Sequence, residues 1–290
     1  NPELMFETHQ TSAFIADKLR EFGCDEVVTG IGRTGVVAVI KGKTDSAGKV
    51  VGLRADMDAL PIKEATGLEY ASQTEGVMHA CGHDGHSAML LGAAKYLAET
   101  RNFDGSLVVI FQPAEEGGGG AREMCEDGMM ARWNIQEVYG MHNSPGEPAG
   151  NFYIRPGPFF AATDQFDITV EGCGGHAAKP QETVDPTITA SQMVLSLQSV
   201  VSRNADPVQQ IVISVTSFET SSKAYNVIPA SVHLRGTIRT MSTEMRALAK
   251  KRLIEIAENT ALVFGAKAHV QYPPGYPVMS NHPQQTKLAA

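Results

Sequence analysis

Cysteine is scarce in this 290-residue chain: only Cys24, Cys81, Cys125 and Cys173, widely spaced. That excludes a small disulfide-stapled secreted domain and points to a reducing compartment, the cytoplasm. No stretch approaches the ~20 apolar residues needed to span a bilayer, so no transmembrane helix and no membrane partner are expected. No signal peptide is visible, and the chain opens at Asn1-Pro2-Glu3-Leu4 without a methionine. Basic residues are in deficit, 24 against 32 acidic for a net charge of −8. A nucleic-acid binder needs a basic patch, so that class of partner is excluded too. Repeats and low-complexity tracts are absent. What remains is an ordinary globular composition, 42% hydrophobic and 19% charged, with enough apolar material for a sizeable core.

The first ~160 residues alternate apolar runs with helical periodicity. Phe14, Ile15, Leu19 and Phe22 predict a helix over 11–22, and Gly35–Ile40 and Val50–Leu53 predict strands. Ala88, Leu91, Ala94 and Leu97 predict a helix after Asp84; Leu107–Phe111 is a further strand. A short helix near 120–128 then leads toward Val138–Met141. Strands alternating with helices predict an α/β layer on a largely parallel sheet. After Pro156-Gly157-Pro158 the pattern changes. Phe166, Ile168 and Val170 alternate with polar residues, a helix follows over 185–203, and Ile211, Ile213 and Val215 make a second strand. Val232, Leu234 and Ile238 mark a third, Ser242 is placed to cap a helix over 243–264, and Ala268, Val270 and Tyr272 close a fourth. The order βαββαβ is of ferredoxin-like type. A smaller domain over 161–273, inserted into a larger one made of 1–160 and 274–290, is the expected organisation, with Pro273-Pro274-Gly275 as the linker back.

Three predicted strands run into polar clusters: Arg54-Ala55-Asp56-Met57-Asp58, Gln112-Pro113-Ala114-Glu115-Glu116, and His142-Asn143. A fourth cluster, His79 to His86, precedes a helix. Ligands of open α/β sheets bind beyond the carboxyl ends of strands, where all four can converge. Cys81 and His83 form a Cys-x-His pair of first-rate ligands for zinc-like ions, with Glu116 and His142 placed to complete a site. Taken alone, the pair reads equally as a buried cysteine beside a helix-capping loop. Glu115-Glu116 offers two carboxylates that point differently, one to bind metal and one to act as general base; the bland alternative is a solvated acidic loop. The glycines 117–120 behind them permit close backbone approach. Asp56 and Asp58 read either as orienting a ligand histidine or as turn residues before Pro61. His86, three residues after His83, is not counted as a ligand. In the smaller domain, His176 sits on a glycine-rich turn and Asn226 and Arg239 flank the third strand. Arg239 is suited to grip a carboxylate or to make a surface ion pair.

These motifs resemble those of the metal-dependent amidohydrolases that include hippurate hydrolases, aminoacylases and auxin-conjugate hydrolases, relatives of the dinuclear-zinc carboxypeptidases. The resemblance rests on Leu53 to Pro61, His79 to His86, Phe111 to Gly117, Gly140-Met141-His142, Gly174 to Ala178 with Val184-Asp185-Pro186, Asn226 to Pro229, and Gly236 to Arg239. It implies a catalytic domain with an inserted lid that dimerises. It implies two divalent ions (zinc, manganese, cobalt or nickel) held by Cys81, His83, Glu116 and His142, with Glu115 as general base. By the same resemblance His176 reaches the active site of a neighbouring subunit, and Asn226 and Arg239 hold substrate. The implied substrate is a small N-acyl amino acid, cut at its amide bond; a dipeptidase, another amide-conjugate hydrolase or an inactive metal-binding fragment are the alternatives. Two departures stand out. The family's further ligand histidine is not placed before the chain stops at Ala290, and Pro180-Gln181 stands where relatives often carry Pro-His. The chain therefore reads as part of a longer protein.

Overall fold

The computed structural model describes residues 1–273 and 275–290. It divides into two compact units, Asn1–Ala149 and Gly150–Ala290. The first contains α1 (His9–Glu21), β1 (Glu26–Ile31), β2 (Gly35–Lys41), β3 (Val50–Asp56), α2 (His83–Thr100), β4 (Ser106–Gln112), α3 (Gly120–Glu126), α4 (Met129–Arg132) and β5 (Glu137–Gly140). Its strands form one sheet in the order β1-β2-β4-β3-β5.

Strand β2 is apolar from Val36 to Ile40 because both of its faces are covered. Val36, Ala38 and Ile40 pack with Ile15 and Leu19 of α1 and with Leu90 and Ala94 of α2. Val37 and Val39 face the other way, onto Met124 of α3 and Met129 of α4. Each such side chain contributes ~1.5–3 kcal/mol on full burial. The sheet is more mixed than expected. β3 pairs parallel with β4 and β5, whereas β1–β2 and β2–β4 are antiparallel. The reason is local: Gly32 and Arg33 both take positive φ (58° and 71°) and close β1 and β2 into a hairpin. The parallel strands are the ones that matter for chemistry. Asp56 pairs with Gln112 and Arg54 with Gly140, so β3, β4 and β5 end together at one edge of the sheet.

The second unit contains β6 (Gly157–Phe160), β7 (Ala162–Glu171), β8 (Gly175–His176), α5 (Pro186–Ser199), β9 (Ile211–Thr220), β10 (Val227–Ile228), β11 (Ser231–Thr240), α6 (Thr243–Val263), β12 (Lys267–Gln271), β13 (Met279–Asn281) and α7 (Pro283–Ala289). Its four long strands form an antiparallel sheet in the order β12-β7-β11-β9. With α5 and α6 this is the βαββαβ order read from the sequence. Phe166, Ile168 and Val170 alternate inward along β7 and pack with Met193 and Leu197 of α5 and Leu253 and Ala257 of α6. Both helices start on capping side chains: Asp185 accepts the N–H of Thr187, and Ser242 accepts that of Met245. The division between units falls at Ala149/Gly150 rather than near 160, and the final segment belongs to the second unit. Backbone pairing explains both differences. β13 pairs antiparallel with β6, and Thr163 bridges Tyr276, so the two connecting segments run as one ribbon. The linker expected at Pro273-Pro274-Gly275 is centred on Pro274, which lies outside the described residues.

Candidate active site

The four polar clusters meet around one side chain. His83, the first residue of α2, is fully buried. Its Nδ1 lies 3.5 Å from Asp58 Oδ1; its Nε2 lies 3.6 Å from Asp56 Oδ2, 3.8 Å from Glu116 Oε1 and 4.0 Å from Glu115 Oε2. Cys81 Sγ lies 3.4 Å from His142 Nε2. Three overlapping groups have ligand atoms within 4.8 Å of one another: Cys81, His83 and His142; His83, Glu115 and Glu116; and Asp56, His83 and His86. His83 belongs to all three. The structure thus brings Cys81, His83, Glu115, Glu116, His142 and Asp56 together.

Local backbone places each of them. Gly82 caps α2 with φ 85°, and a Cβ there would sit 2.9–3.1 Å from the Asn143 amide. Glycine is therefore required for the helix start to approach the end of β5. Beyond β4 the buried Ala114 takes φ 50°, a left-handed turn that redirects the chain at Glu115. Asp58, buried beneath that turn, accepts the backbone N–H of Glu115 at 2.9 Å and of Glu116 at 3.1 Å. The two carboxylates are consequently held by their backbone, with their side chains free to diverge.

The electrostatics are those of a site assembled for a cation. Both ring nitrogens of His83 and Oε1 of Glu116 are buried without a hydrogen-bond partner. An orphaned buried polar atom costs ~1–3 kcal/mol, and Nε2 of His83 and Oε1 of Glu116, 3.8 Å apart, call for a shared partner, while Nδ1 faces Asp58. Burial, the hydrogen bond to Glu116 and the nearby carboxylate charges push the Cys81 thiol up to about 12. Burial also lifts Glu115 above its ordinary value; Arg54 opposes the lift, and Glu116 and Asp56 add to it. Burial disfavours the charged form of His83, but Asp58, Asp56 and Glu115 outweigh it and raise its pKa. Thiolate, imidazole and carboxylate donors around one point form a set suited to zinc or a similar divalent ion. The residues present fit such a group.

Asp56 differs in detail from the role expected for it. Its close partner is His86, whose Nδ1–H donates to Oδ1 at 2.6 Å; Arg54 donates to Oδ2 at 2.7 Å. Burial opposes its ionisation, but these contacts and the charge of His83 hold it well below the usual carboxylate range. Asp56 therefore orients the histidine that the sequence reading set aside. The signal for His86 was the three-residue spacing from His83, which places both on one helix face. Asn143 carries no distinguishing sequence signal, and for Asp58 the sequence offers only its place in the strand-end cluster, because the backbone it holds lies far along the chain.

The other expected residues lie in the second unit. His176 on β8 pairs with Val227, and the Ala177 N–H donates to the Asn226 carbonyl at 2.9 Å, so His176 and Asn226 share one small two-stranded sheet. Arg239 is exposed on β11 and donates to Thr237 Oγ1 and to the Ile238 carbonyl.

The family model of Peptidase family M20/M25/M40 matches residues 52–290. Hippurate hydrolase of Campylobacter jejuni is 43% identical over 291 residues, covering 100% of this chain and 74% of the relative. N-acetyl-L-cysteine deacetylase of Bacillus subtilis is 43% identical over 288 residues, covering 99% and 68%. Among solved structures, the Bacillus subtilis protein YXEP, described as a dinuclear metal binding peptidase from the M20 family, superposes with a TM-score of 0.80 at 35% identity. That match covers 100% of this chain and 74% of the other. No helix among the described residues is long and apolar enough to cross a membrane. The family match runs through every residue of the cluster around His83, at an identity that fixes kinship as well as fold, and the chain therefore belongs to peptidase family M20/M25/M40 as a metal-dependent hydrolase.

Proposed function

We propose that this chain hydrolyses the amide bond of N-acyl amino acids, as the names of its hippurate hydrolase and N-acetyl-L-cysteine deacetylase relatives suggest. The observation that carries the reading is the convergence of Cys81, His83, Glu116 and His142 on one point with Glu115 beside them. In this reading those four residues hold two divalent ions, zinc, manganese, cobalt or nickel. When bound, such ions polarise the scissile carbonyl and lower the pKa of a water toward ~7.

The remaining work falls to the chain itself. Glu115 takes the proton of the attacking water and passes it to the departing amine. Its raised pKa suits that exchange, because a base that returns its proton works best when poised near the operating pH. Asp58 keeps the Glu115 backbone still, so the carboxylate does not have to be reorganised as charge moves. Residues 161–273 serve as an inserted lid and dimerisation domain. From it His176 donates to the developing oxyanion in the partner subunit, and Asn226 and Arg239 hold the substrate. Arg239 is supported by its exposed guanidinium, which suits the free carboxylate of an N-acyl amino acid. Four free cysteines support a reducing, cytoplasmic setting.

The test is amine release from hippurate and a panel of small N-acyl amino acids, with added manganese or zinc, beside a Glu115→Gln control. Metal-dependent release that disappears in the control is expected. A folded, metal-loaded protein that releases nothing from any member of the panel would overturn the reading.

A further inference from the structure

His86 is among the best-buried polar side chains in the first unit, at 3% exposure, and the mechanism above gives it no task. Its ring lies 5.4 Å from that of His83 and 4.6 Å from that of His142, centroid to centroid. It stands among the candidate ligands, yet both of its nitrogens are already engaged. Nδ1–H donates to Asp56 Oδ1 at 2.6 Å. Nε2 accepts the backbone N–H of Asn143 at 3.0 Å; the side-chain Oδ1 of Asn143 lies 2.5 Å from the same nitrogen, so with Nε2 unprotonated the amide presents its NH2 there instead. A histidine with both nitrogens occupied has no lone pair left for a metal, so His86 is not a ligand.

What it holds is the turn that presents His142. The His142 Nδ1–H donates to the Asn143 carbonyl at 2.7 Å. A carbonyl only accepts, so this contact fixes the proton on Nδ1 and leaves the lone pair of Nε2 facing Cys81 Sγ, 3.4 Å away. The Asn143 peptide is thus gripped by His86 at its N–H and grips His142 at its C=O. At the other end, Asp56 is tied to β4 through Arg54, whose guanidinium donates to Gln112 Oε1 at 2.6 and 2.8 Å. The Ser87 hydroxyl adds a bond to the Asp56 carbonyl at 2.9 Å. The series Gln112, Arg54, Asp56, His86, Asn143, His142 therefore runs from β4 through β3 and α2 to the end of β5. It joins the ends of the three parallel strands to the start of α2, around the candidate ligands.

The geometry points to His86 as a positioning residue for the metal centre, acting through the Asn143 peptide to set the orientation and tautomer of His142. This rests on the reading of Cys81 and His142 as metal ligands. Partners that orient ligand side chains typically change metal affinity ~10–100-fold when removed.

The experiment measures the affinity of the metal-stripped protein for Zn²⁺ by chelator competition, in wild type, His86→Ala, His86→Asn and His86→Gln. An asparagine amide reaches the place of Nδ1 and keeps the Asp56 contact alone. A glutamine amide reaches the place of Nε2 and keeps the Asn143 contact. Expected is a loss of ~10–100-fold in His86→Ala and His86→Asn, with His86→Gln recovering most of it. On a substrate cleaved by the wild type, kcat falls in the same order while KM changes little. Wild-type affinity in His86→Ala, or equal losses in His86→Asn and His86→Gln, overturns the proposal. If His86→Ala yields no folded protein, the order of the two amide variants decides alone. Cys81→Ala separates this from failure of the ligand reading. Unchanged Zn²⁺ affinity in that variant discards the ligand assignment; a loss there with no effect at His86 discards only the positioning role.

Discussion

Asp58 holds Glu115 by the backbone: its buried carboxylate accepts the Glu115 N–H at 2.9 Å, and its second oxygen accepts the next N–H, of Glu116, at 3.1 Å. One side chain thereby sets the positions of two carboxylates with different duties. Asp58→Asn leaves one acceptor for two donors, stranding an N–H in a part-buried turn. A loss of ~1–3 kcal/mol in stability is expected from the orphaned donor. A fall in turnover well beyond the change in KM is expected too, because the base moves with its backbone. Denaturant unfolding and steady-state kinetics check both. A variant with unchanged stability and turnover would show that the clamp is dispensable.

The burial that raises the pKa of Glu115 has a consequence for stability in the metal-free protein. A carboxyl group whose folded pKa exceeds its unfolded value of 4.5 contributes fully below that value. The contribution is lost as pH rises through the folded pKa. Metal-free Glu115→Gln cannot ionise and is spared that loss. Its melting temperature should match the wild type near pH 4 and exceed it at pH 7–8, while its activity is abolished. A variant less stable than wild type at neutral pH would contradict the assigned environment.

Much of this arrangement was legible in the sequence, and the unread part has a physical pattern. The alternation Phe166, Ile168, Val170 and the capping Ser242 announced the second unit, because period-2 burial and side-chain caps are local. Strand β1 escaped, since Thr29 and Gly30 interrupt its apolar residues and no position along it is fully buried. Short ribbons such as β6–β13 leave no periodicity to detect. The strand-end clusters were readable because β3, β4 and β5 are parallel and finish together. The backbone contacts of Asp58 and Asn143 were not, since each is made with a partner 57 residues away, Glu115 and His86 respectively. His86 offered its helical spacing from His83, but spacing alone does not say whether a histidine binds or braces.

The four thiols should separate into two classes. Burial, with a small addition from Asp25, pushes Cys24 up to about 11, and burial with nearby carboxylates pushes Cys81 to about 12. Cys125 and Cys173 are exposed. Only thiolate reacts appreciably with a disulfide reagent, so at pH 8 the metal-free protein should show two fast and two slow thiols. Serine substitution of Cys125 and Cys173 should remove the fast phase. Four thiols reacting at one rate would mean that the partial burial of Cys24 and Cys81 does not hold their thiols protonated.

The glycines behind the carboxylate pair are not equivalent, and the difference reports on the site. At Gly120, which opens α3, a Cβ would sit 1.8 Å from the Pro113 carbonyl oxygen and 2.7 Å from its carbon. Those are backbone atoms just ahead of the strained Ala114, and the Gly120 N–H also donates to the Ala114 carbonyl at 3.1 Å. At Gly117 the nearest atom is the Met5 sulfur at 3.3 Å, the far part of a flexible side chain, and φ is not positive. Gly120→Ala must therefore push Pro113 and Ala114, and with them the segment carrying Glu115 and Glu116. Forcing a methyl into a packed site typically costs ~1–3 kcal/mol, here borne by the loop that holds the candidate base and a candidate ligand. Gly117→Ala should stay within ~0.5 kcal/mol of wild type, as expected for a substitution with room to relax. Unfolding midpoints and Zn²⁺ affinity of the two variants make the comparison. Gly120→Ala should lose on both measures and Gly117→Ala on neither. The reverse order would mean that the close approach of Gly120 to Pro113 does not shape the turn on which the two glutamates stand.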